Sequence, residues 1–302
     1  MIRASVHKLI YLLVVIVLLP GHLYAQDNAL RFAFQNRIGS VLPIIALKKG
    51  FFAAQGLHIE TQMFSSGPAC AEALTSGAAD IATVGDTTAI IALSRDMPVQ
   101  LVASHASGEH RHRLMVMSPD IHTLSDLRGK RIGVKKGTST YGGLQKLLAC
   151  EGIKRGEVQL INLRPAILVE ALMAGSIDAF AASEPTPSLG EMNGARQLAT
   201  LGGLGNSYPI LIVARDSFVA KHPQQLEAFI RAMEQALMFL RQHNGEAHQI
   251  VASTLNLPQD VISSAMQRHH YHLTLDESIR ASLKQTAHFL IQQQIITTEP
   301  DF

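Results

Sequence analysis

"ALTSGAADIATVGD" (Ala73 to Asp86) returns in closely similar form as "ALMAGSIDAFAASE" (Ala171 to Glu184). Each copy runs Ala-Leu, two residues, Gly, two residues, Asp, an apolar run and a carboxylate, and the copies stand 171 − 73 = 98 residues apart. The pattern reads as one structural unit used twice: a helix, its Gly C-cap, a turn Asp and a buried strand. Gly suits the cap because it tolerates positive φ at least cost. Neighbouring units match at a similar offset, which argues against chance convergence on common helix physics.

Working outward, strand and helix signals alternate. "LRFAF" reads as a strand, "VLPIIALKKGFFAAQG" as a helix closing at Gly56, and "LHIETQMF" as a strand. "SSGPACAEALTSG" is a helix with Ser and Pro at its start and Gly77 at its end, then "DIATVG" a strand, "DTTAIIALSRD" a helix and "VQLVASHA" a strand. The second half repeats this with "KRIGVKKG", "TSTYGGLQKLLACEG", "VQLINL", "RPAILVEALMAG" and "DAFAAS". Such alternation over short loops predicts parallel-rich sheets flanked by helices, an α/β fold. From His222 onward the chain reads as helical, with Phe229, Met233, Ala236, Leu237 and Leu240 forming one core-facing stripe.

The first residues read as targeting. Arg3 and Lys8, the apolar run Leu9 to Leu19, the Pro20-Gly21 break and a small residue at Ala25 make a secretory signal peptide over residues 1–25. The run is short of the ~20 residues that span a bilayer. Its removal leaves 302 − 25 = 277 residues and takes away two bases and no acid, so 24 bases face 24 acids. A balanced charge argues against nucleic acid or membrane surfaces as partners. Cys70 and Cys150 read as buried free thiols.

Ligands of open α/β sheets bind outside the carboxyl ends of the strands. Two facing sheets would aim those ends at one cleft, gathering residues 34–39, 65–68, 85–88, 136–141 and 183–188. Four of these stretches open helices and are rich in Ser and Thr, and free N–H groups with the positive helix end suit an oxyanion. A helix dipole supplies ~0.3–1 kcal/mol and a charge-assisted hydrogen bond ~1.5–3. Micromolar affinity takes about 8 kcal/mol, so several loops closing together must provide it. Asp86 and Glu184 would then line opposite walls. A carboxylate beside an anion repels it unless the ligand also carries a donor or cation, which points to an amino- or hydroxyl-bearing ligand.

"GFFAAQGLHIE", "FSSGPACAEALTSGAADIATVGDTTAIIA", "TLSDLRGKRIGVKKGTSTYGGLQKLL" and "ALMAGSIDAFAASEPTPS" together resemble the periplasmic substrate-binding proteins of ABC importers for taurine, alkanesulfonates and nitrate, the NMT1/THI5-like group. The resemblance implies a type II periplasmic-binding-protein fold with a two-crossing hinge, closing on a small anionic or zwitterionic ligand. It also implies delivery to a membrane permease with its ATPase, by a periplasmic monomer without cofactor or metal. Lobe I would comprise residues 26–110 and 209–302, lobe II residues 111–208, with Gly108 and Ser207 at the hinge. Carried onto matching positions, the ligand site is implied at Gln35, Ser65, Ser66, Gly67, Asp86, Thr87, Thr138, Ser139, Thr140, Tyr141 and Glu184. Many members place Trp before the acid aligned with Glu184; here that residue is Ser183 and the chain has no Trp, leaving Phe34 and Tyr141 as aromatic candidates.

Three other readings compete. An enzyme of the same fold acting on a thiamine-pyrimidine-type substrate would need a Cys-rich motif that this chain lacks. A metal binder would use His105, His110 and His112, or His269, His270 and His272, which read more simply as loop and helix-face histidines. A sensor-coupled binding protein would share the closing lobes.

Overall fold

The computed structural model describes residues 29–154 and 156–302; the expected signal segment, residues 1–25, lies outside the described residues. The chain begins with β1 (Leu30–Gln35), α1 (Val41–Lys48), α2 (Phe51–Ala54), β2 (Ile59–Phe64), α3 (Gly67–Thr75), β3 (Ile81–Gly85), α4 (Asp86–Leu93) and β4 (Val99–Ser107). It continues through β5 (His112–Val116), β6 (Arg131–Val134), α5 (Ser139–Cys150), β7 (Gln159–Asn162), α6 (Leu168–Met173), β8 (Ala179–Ser183), α7 (Thr186–Met192) and β9 (Arg196–Thr200). The last third holds β10 (Ile210–Arg215), α8 (Asp216–Lys221), α9 (Pro223–Gln242), α10 (Asn244–Leu255), α11 (Gln259–Gln267), β11 (His270–Thr274) and α12 (Glu277–Gln292).

These strands form two mixed sheets, ordered β11-β4-β10-β3-β1-β2 and β7-β6-β8-β5-β9. In each sheet three strands are parallel and an antiparallel strand docks beside the repeated unit: β10 on β3, and β5 on β8. The chain leaves the first sheet through β4, enters the second through β5, and returns from β9 to β10. The two passages are bonded to each other, Gly108 N–H donating to the Ser207 carbonyl at 2.8 Å. Glycine is required there by close approach, since a Cβ on Gly108 would collide with the Arg268 carbonyl.

The repeat has a physical purpose at its first acid. Asp80 accepts from the Arg31 backbone N–H (3.1 Å), Nε (3.0 Å) and Nη2 (2.7 Å), while Arg31 Nη1 reaches the Gly77 carbonyl. Asp178 accepts from the Arg131 N–H (2.8 Å), Nε (3.1 Å) and Nη2 (2.9 Å), and Arg131 Nη2 reaches the Gly175 carbonyl at 2.7 Å. Each clamp ties the start of a parallel strand to the helix C-terminus and turn before its neighbour, and Gly77 and Gly175 hold φ of +79° and +64° there.

Side chains of the first sheet pack against α1 and α9, where Phe229 meets Phe32 edge-on at 4.9 Å and stacks on Phe52 at 5.1 Å. The expected stripe on α9 is buried as read. Other readings are corrected. The expected helix from Val41 to Gly56 breaks at Gly50, whose φ is +70°. Strands β5, β9 and β10 run through stretches without a strand signal in the sequence, and β11 interrupts the C-terminal part that reads as helical. Cys70 is buried and Cys150 exposed, both free, so only one matches the expectation of buried thiols.

Candidate functional site

A cavity of about 430 Å³ opens where β1, β2, β6 and β8 end, between the two sheets. Of the residues singled out in the sequence, Ser65, Thr138, Thr140 and Glu184 line it. Thr138 is also the N-cap of α5, accepting from Tyr141 N–H at 3.3 Å and donating to the Lys135 carbonyl at 2.7 Å. Gln35, Ser66 and Gly67 gather beside the seam: Gln35 Nε2 donates to the Thr83 carbonyl at 3.4 Å, and a Cβ on Gly67 would lie 3.1 Å from Thr88 Oγ1. Thr87 and Ser139 belong to that seam, where α4 meets α5. A Cβ on Gly142 would lie 3.2 Å from Thr87 Oγ1, and one on Gly85 would collide with Ser139 Oγ. Thr88 Oγ1 crosses it to donate to the Gly137 carbonyl at 3.0 Å.

Four side chains sit otherwise than the sequence suggests. Phe34 is packed in the core, stacked on Phe32 at 5.2 Å, and does not line the cavity. Tyr141 lines a separate cavity of about 610 Å³ with Gln145, Leu148 and Gly152. Asp86 is fully buried and spends its oxygens on Thr87 N–H (2.6 Å), Asn206 Nδ2 (2.8 Å) and Thr286 Oγ1 (3.2 Å), tying α4 to the return passage and α12. Glu184 borders the cavity, yet its side chain is 0% exposed. Its Oε1 pairs with Arg113 Nη2 at 2.7 Å and with Arg268 Nε at 3.5 Å, and its Oε2 accepts from Ser188 N–H at 3.3 Å and Oγ at 2.8 Å. Arg113 in turn holds Glu191 through both Nη atoms.

Cations supply what sequence reasoning missed. Arg37 stands on the cavity wall and, among the described residues, no carboxylate pairs with it. Burial lowers its pKa to about 10, so it stays charged at neutral pH. Arg111 is 1% exposed and donates to Ser183 Oγ at 2.8 Å and to the Tyr208 carbonyl at 2.7 Å, and among the described residues it too has no ion pair. Burial, then the charge of Arg37, brings it down to about 9, with Asp86 acting the other way. His112 shares a 2.7 Å bond with Thr140 Oγ1 and is held neutral, well below the usual imidazole range, by burial and then by Arg111 and Arg37. Burial, then Arg111, brings His269 to about 3. Arg111 Nε, His112 Nε2 and His269 Nε2 are buried without a partner. Buried charge and buried polar atoms without partners are costly. Arg111 and His112 bond to Ser183 and Thr140 of the strand-end cavity wall, so the unpartnered Arg111 Nε–H is a donor that an oxyanion would satisfy, whereas His269 donates from Nδ1 to the Ala265 carbonyl and leaves Nε2 an acceptor. The signals were present: Arg37 lies within "FQNRIG", and "EHRHR" follows the expected hinge residue Gly108, with Arg111, His112 and Arg113 buried.

Two mixed sheets joined by two passages, with a polar cavity at their strand ends, define the class of two-lobed solute-binding folds. The chain belongs to the NMT1/THI5-like family, whose profile matches residues 40–247. It is 25% identical over 286 residues to an aliphatic sulfonates-binding protein of Bacillus subtilis, covering 92% of this chain and 85% of that one. It is 29% identical over 184 residues to the taurine-binding periplasmic protein of Escherichia coli, covering 60% and 57%. The alkanesulfonate-binding protein SsuA of Xanthomonas axonopodis, solved with MOPS bound, superposes with a TM-score of 0.83 at 23% identity, over 91% of this chain and 96% of that one. Among the described residues no helix is long and apolar enough to cross a membrane, and no three metal-ligating side chains are grouped to hold an ion.

Proposed function

We propose that the protein is the extracytoplasmic solute-binding component of an ABC importer, capturing a small organic anion of the sulfonate class between its lobes. The observation that carries this reading is the Arg37 guanidinium, charged and, among the described residues, without a carboxylate partner on the wall of the strand-end cavity. Arg37, Arg111, Thr140 and Ser183 hold the anionic head, with Ser65 and Thr138 at the adjoining helix starts. Lobe I comprises residues 26–110 and 209–302 and lobe II residues 111–208; the lobes swing about Gly108 and Ser207. Ligand touching both lobes favours the closed form, which a periplasmic monomer then presents to a permease and its ATPase. The role is binding rather than turnover.

Calorimetry of the chain lacking residues 1–25 with methanesulfonate, against sodium chloride, tests this. Arg37→Ala is expected to weaken binding roughly 10–100-fold, the loss of one or two charge-assisted hydrogen bonds of ~1.5–3 kcal/mol, with its circular dichroism unchanged. Wild-type affinity retained in Arg37→Ala would overturn the assignment, and consumption of the ligand on incubation would reopen the enzymatic reading.

A further inference from the structure

We infer that the cavity selects the far end of its ligand: it favours an anion with an uncharged apolar tail over a zwitterion carrying an ammonium group. This rests on the anion-capture reading above. Among the residues that line the cavity, Glu184 alone is acidic. Its Oε1 is ion-paired with Arg113 and Arg268, though it accepts no aligned hydrogen bond, its Oε2 accepts from Ser188, and none of its side chain is exposed. The one carboxylate of the lining already faces two guanidiniums, so none is free of a counter-charge to pair with an ammonium. The charges that do line the cavity, Arg37 and Lys135, repel one. An ammonium entering would therefore lose its water and find no counter-charge, a cost that an isosteric methyl group avoids.

The opposite property is built into the walls. Phe64, Leu168, Leu189, Leu255 and Leu257 offer hydrocarbon to a tail, with Met63 beside them at 52% exposed. Leu255 ends α10 and Leu257 follows Asn256, whose φ of +52° turns the chain there. Both lie beyond residue 247, where the family match ends, so this part of the wall belongs to the chain's own C-terminal third. The two leucines also pack on the core beneath α1 and α9, which gives the wall a firm backing.

Taurine and propane-1-sulfonate form the decisive pair, because they differ by an ammonium in place of a methyl group. Calorimetry of the chain lacking residues 1–25 is expected to show propane-1-sulfonate binding at least about tenfold tighter than taurine. Through methane-, ethane- and propanesulfonate, affinity should rise up to about fourfold per methylene, the equivalent of ~0.8 kcal/mol per buried CH₂. Leu257→Ala should flatten that rise, and Leu257→Glu should narrow the gap between taurine and propane-1-sulfonate. Taurine binding as tightly as its isostere, or no rise along the series in the wild-type protein, overturns the inference even if the leucine variants fold poorly. If methanesulfonate binds while taurine equals propane-1-sulfonate, only the tail selection fails. If no sulfonate binds, the anion reading fails and this inference with it.

Discussion

The two copies of the repeated stretch agree at their first acid and part at their last. Asp80 and Asp178 make the same clamp on the second and first residues of their parallel strands, Arg31 and Arg131. Asp86 and Glu184, at the matching ends, are both buried but serve different partners: hydrogen-bond donors from the return passage and α12 in one case, buried guanidiniums in the other. The first acid sits where each sheet assembles its strands, a problem identical in both halves. The last sits where one half meets the other, and the two halves cannot present the same surface there. The difference teaches that a repeated carboxylate reports a repeated fold, and that its chemistry depends on which residues of the other half reach it.

Glu184→Gln should cause the largest change. It removes the charge facing the fully buried Arg113, leaving Glu191, whose side chain is 43% exposed, as the remaining carboxylate. Breaking one side of a buried pair costs about 3–5 kcal/mol, to be read from urea unfolding. Adding Arg113→Met should restore part of the loss. Unchanged stability with abolished sulfonate binding would show Glu184 to be a ligand group after all.

Asp80→Asn ranks next, at about 2–3 kcal/mol, because Asp80 is nearly buried and also accepts from Arg215 Nη2 at 2.8 Å. Asp178→Asn should cost less, since Asp178 is 29% exposed and, among the described residues, has no second arginine partner. Equal losses would break the comparison between the clamps. The pH dependence has a definite sign. Burial pushes Asp80 up, but the Arg31 hydrogen bonds and charge outweigh it, and Arg131 lowers Asp178, so both carboxyls titrate below their usual range. A lowered folded pKa adds stability that is present above the ordinary carboxylate value of ~4 and is lost as pH falls through the folded value. The stability gap between wild type and Asp80→Asn should therefore shrink as pH falls below about 4, and a gap that does not shrink at all on acidification counts against the clamp.

The smallest effect is expected at the seam. Thr88→Ala removes the bond to the Gly137 carbonyl across α4 and α5, and a neutral hydrogen bond contributes ~0.5–1.5 kcal/mol. The closed form should lose about that much, seen as a few-fold weaker methanesulfonate binding at unchanged unfolding midpoint. A drop in midpoint without a change in affinity would make Thr88 part of one lobe's stability instead.

How far the sequence could be read follows from the range of the interactions. The helix caps at Gly77 and Gly175, the parallel strands and the stripe on α9 are local patterns, and they are legible. Strand β5 is not, because His112 and Arg113 open it with charge where a buried strand normally shows hydrocarbon. Strand β11 is only five residues, three of them His or Tyr, and its identity comes from pairing with β4. Ser65, Thr138 and Thr140 could be found because helix starts advertise themselves. Arg37 could not, since an arginine in a loop looks the same whether a carboxylate awaits it or not.

By itself, the sequence determined the repeat, the alternation of strand and helix, and the direction in which strand ends point, because each depends on residues within a turn or two of one another. Only the tertiary structure decided which charges are spent and which are free. Glu184 and Arg113 lie 71 residues apart, Asp86 and Thr286 lie 200 apart, and whether such groups meet depends on the path of the whole chain. The acids that stand out in the sequence are thereby taken up by partners within the fold, and among the described residues no carboxylate pairs with Arg37.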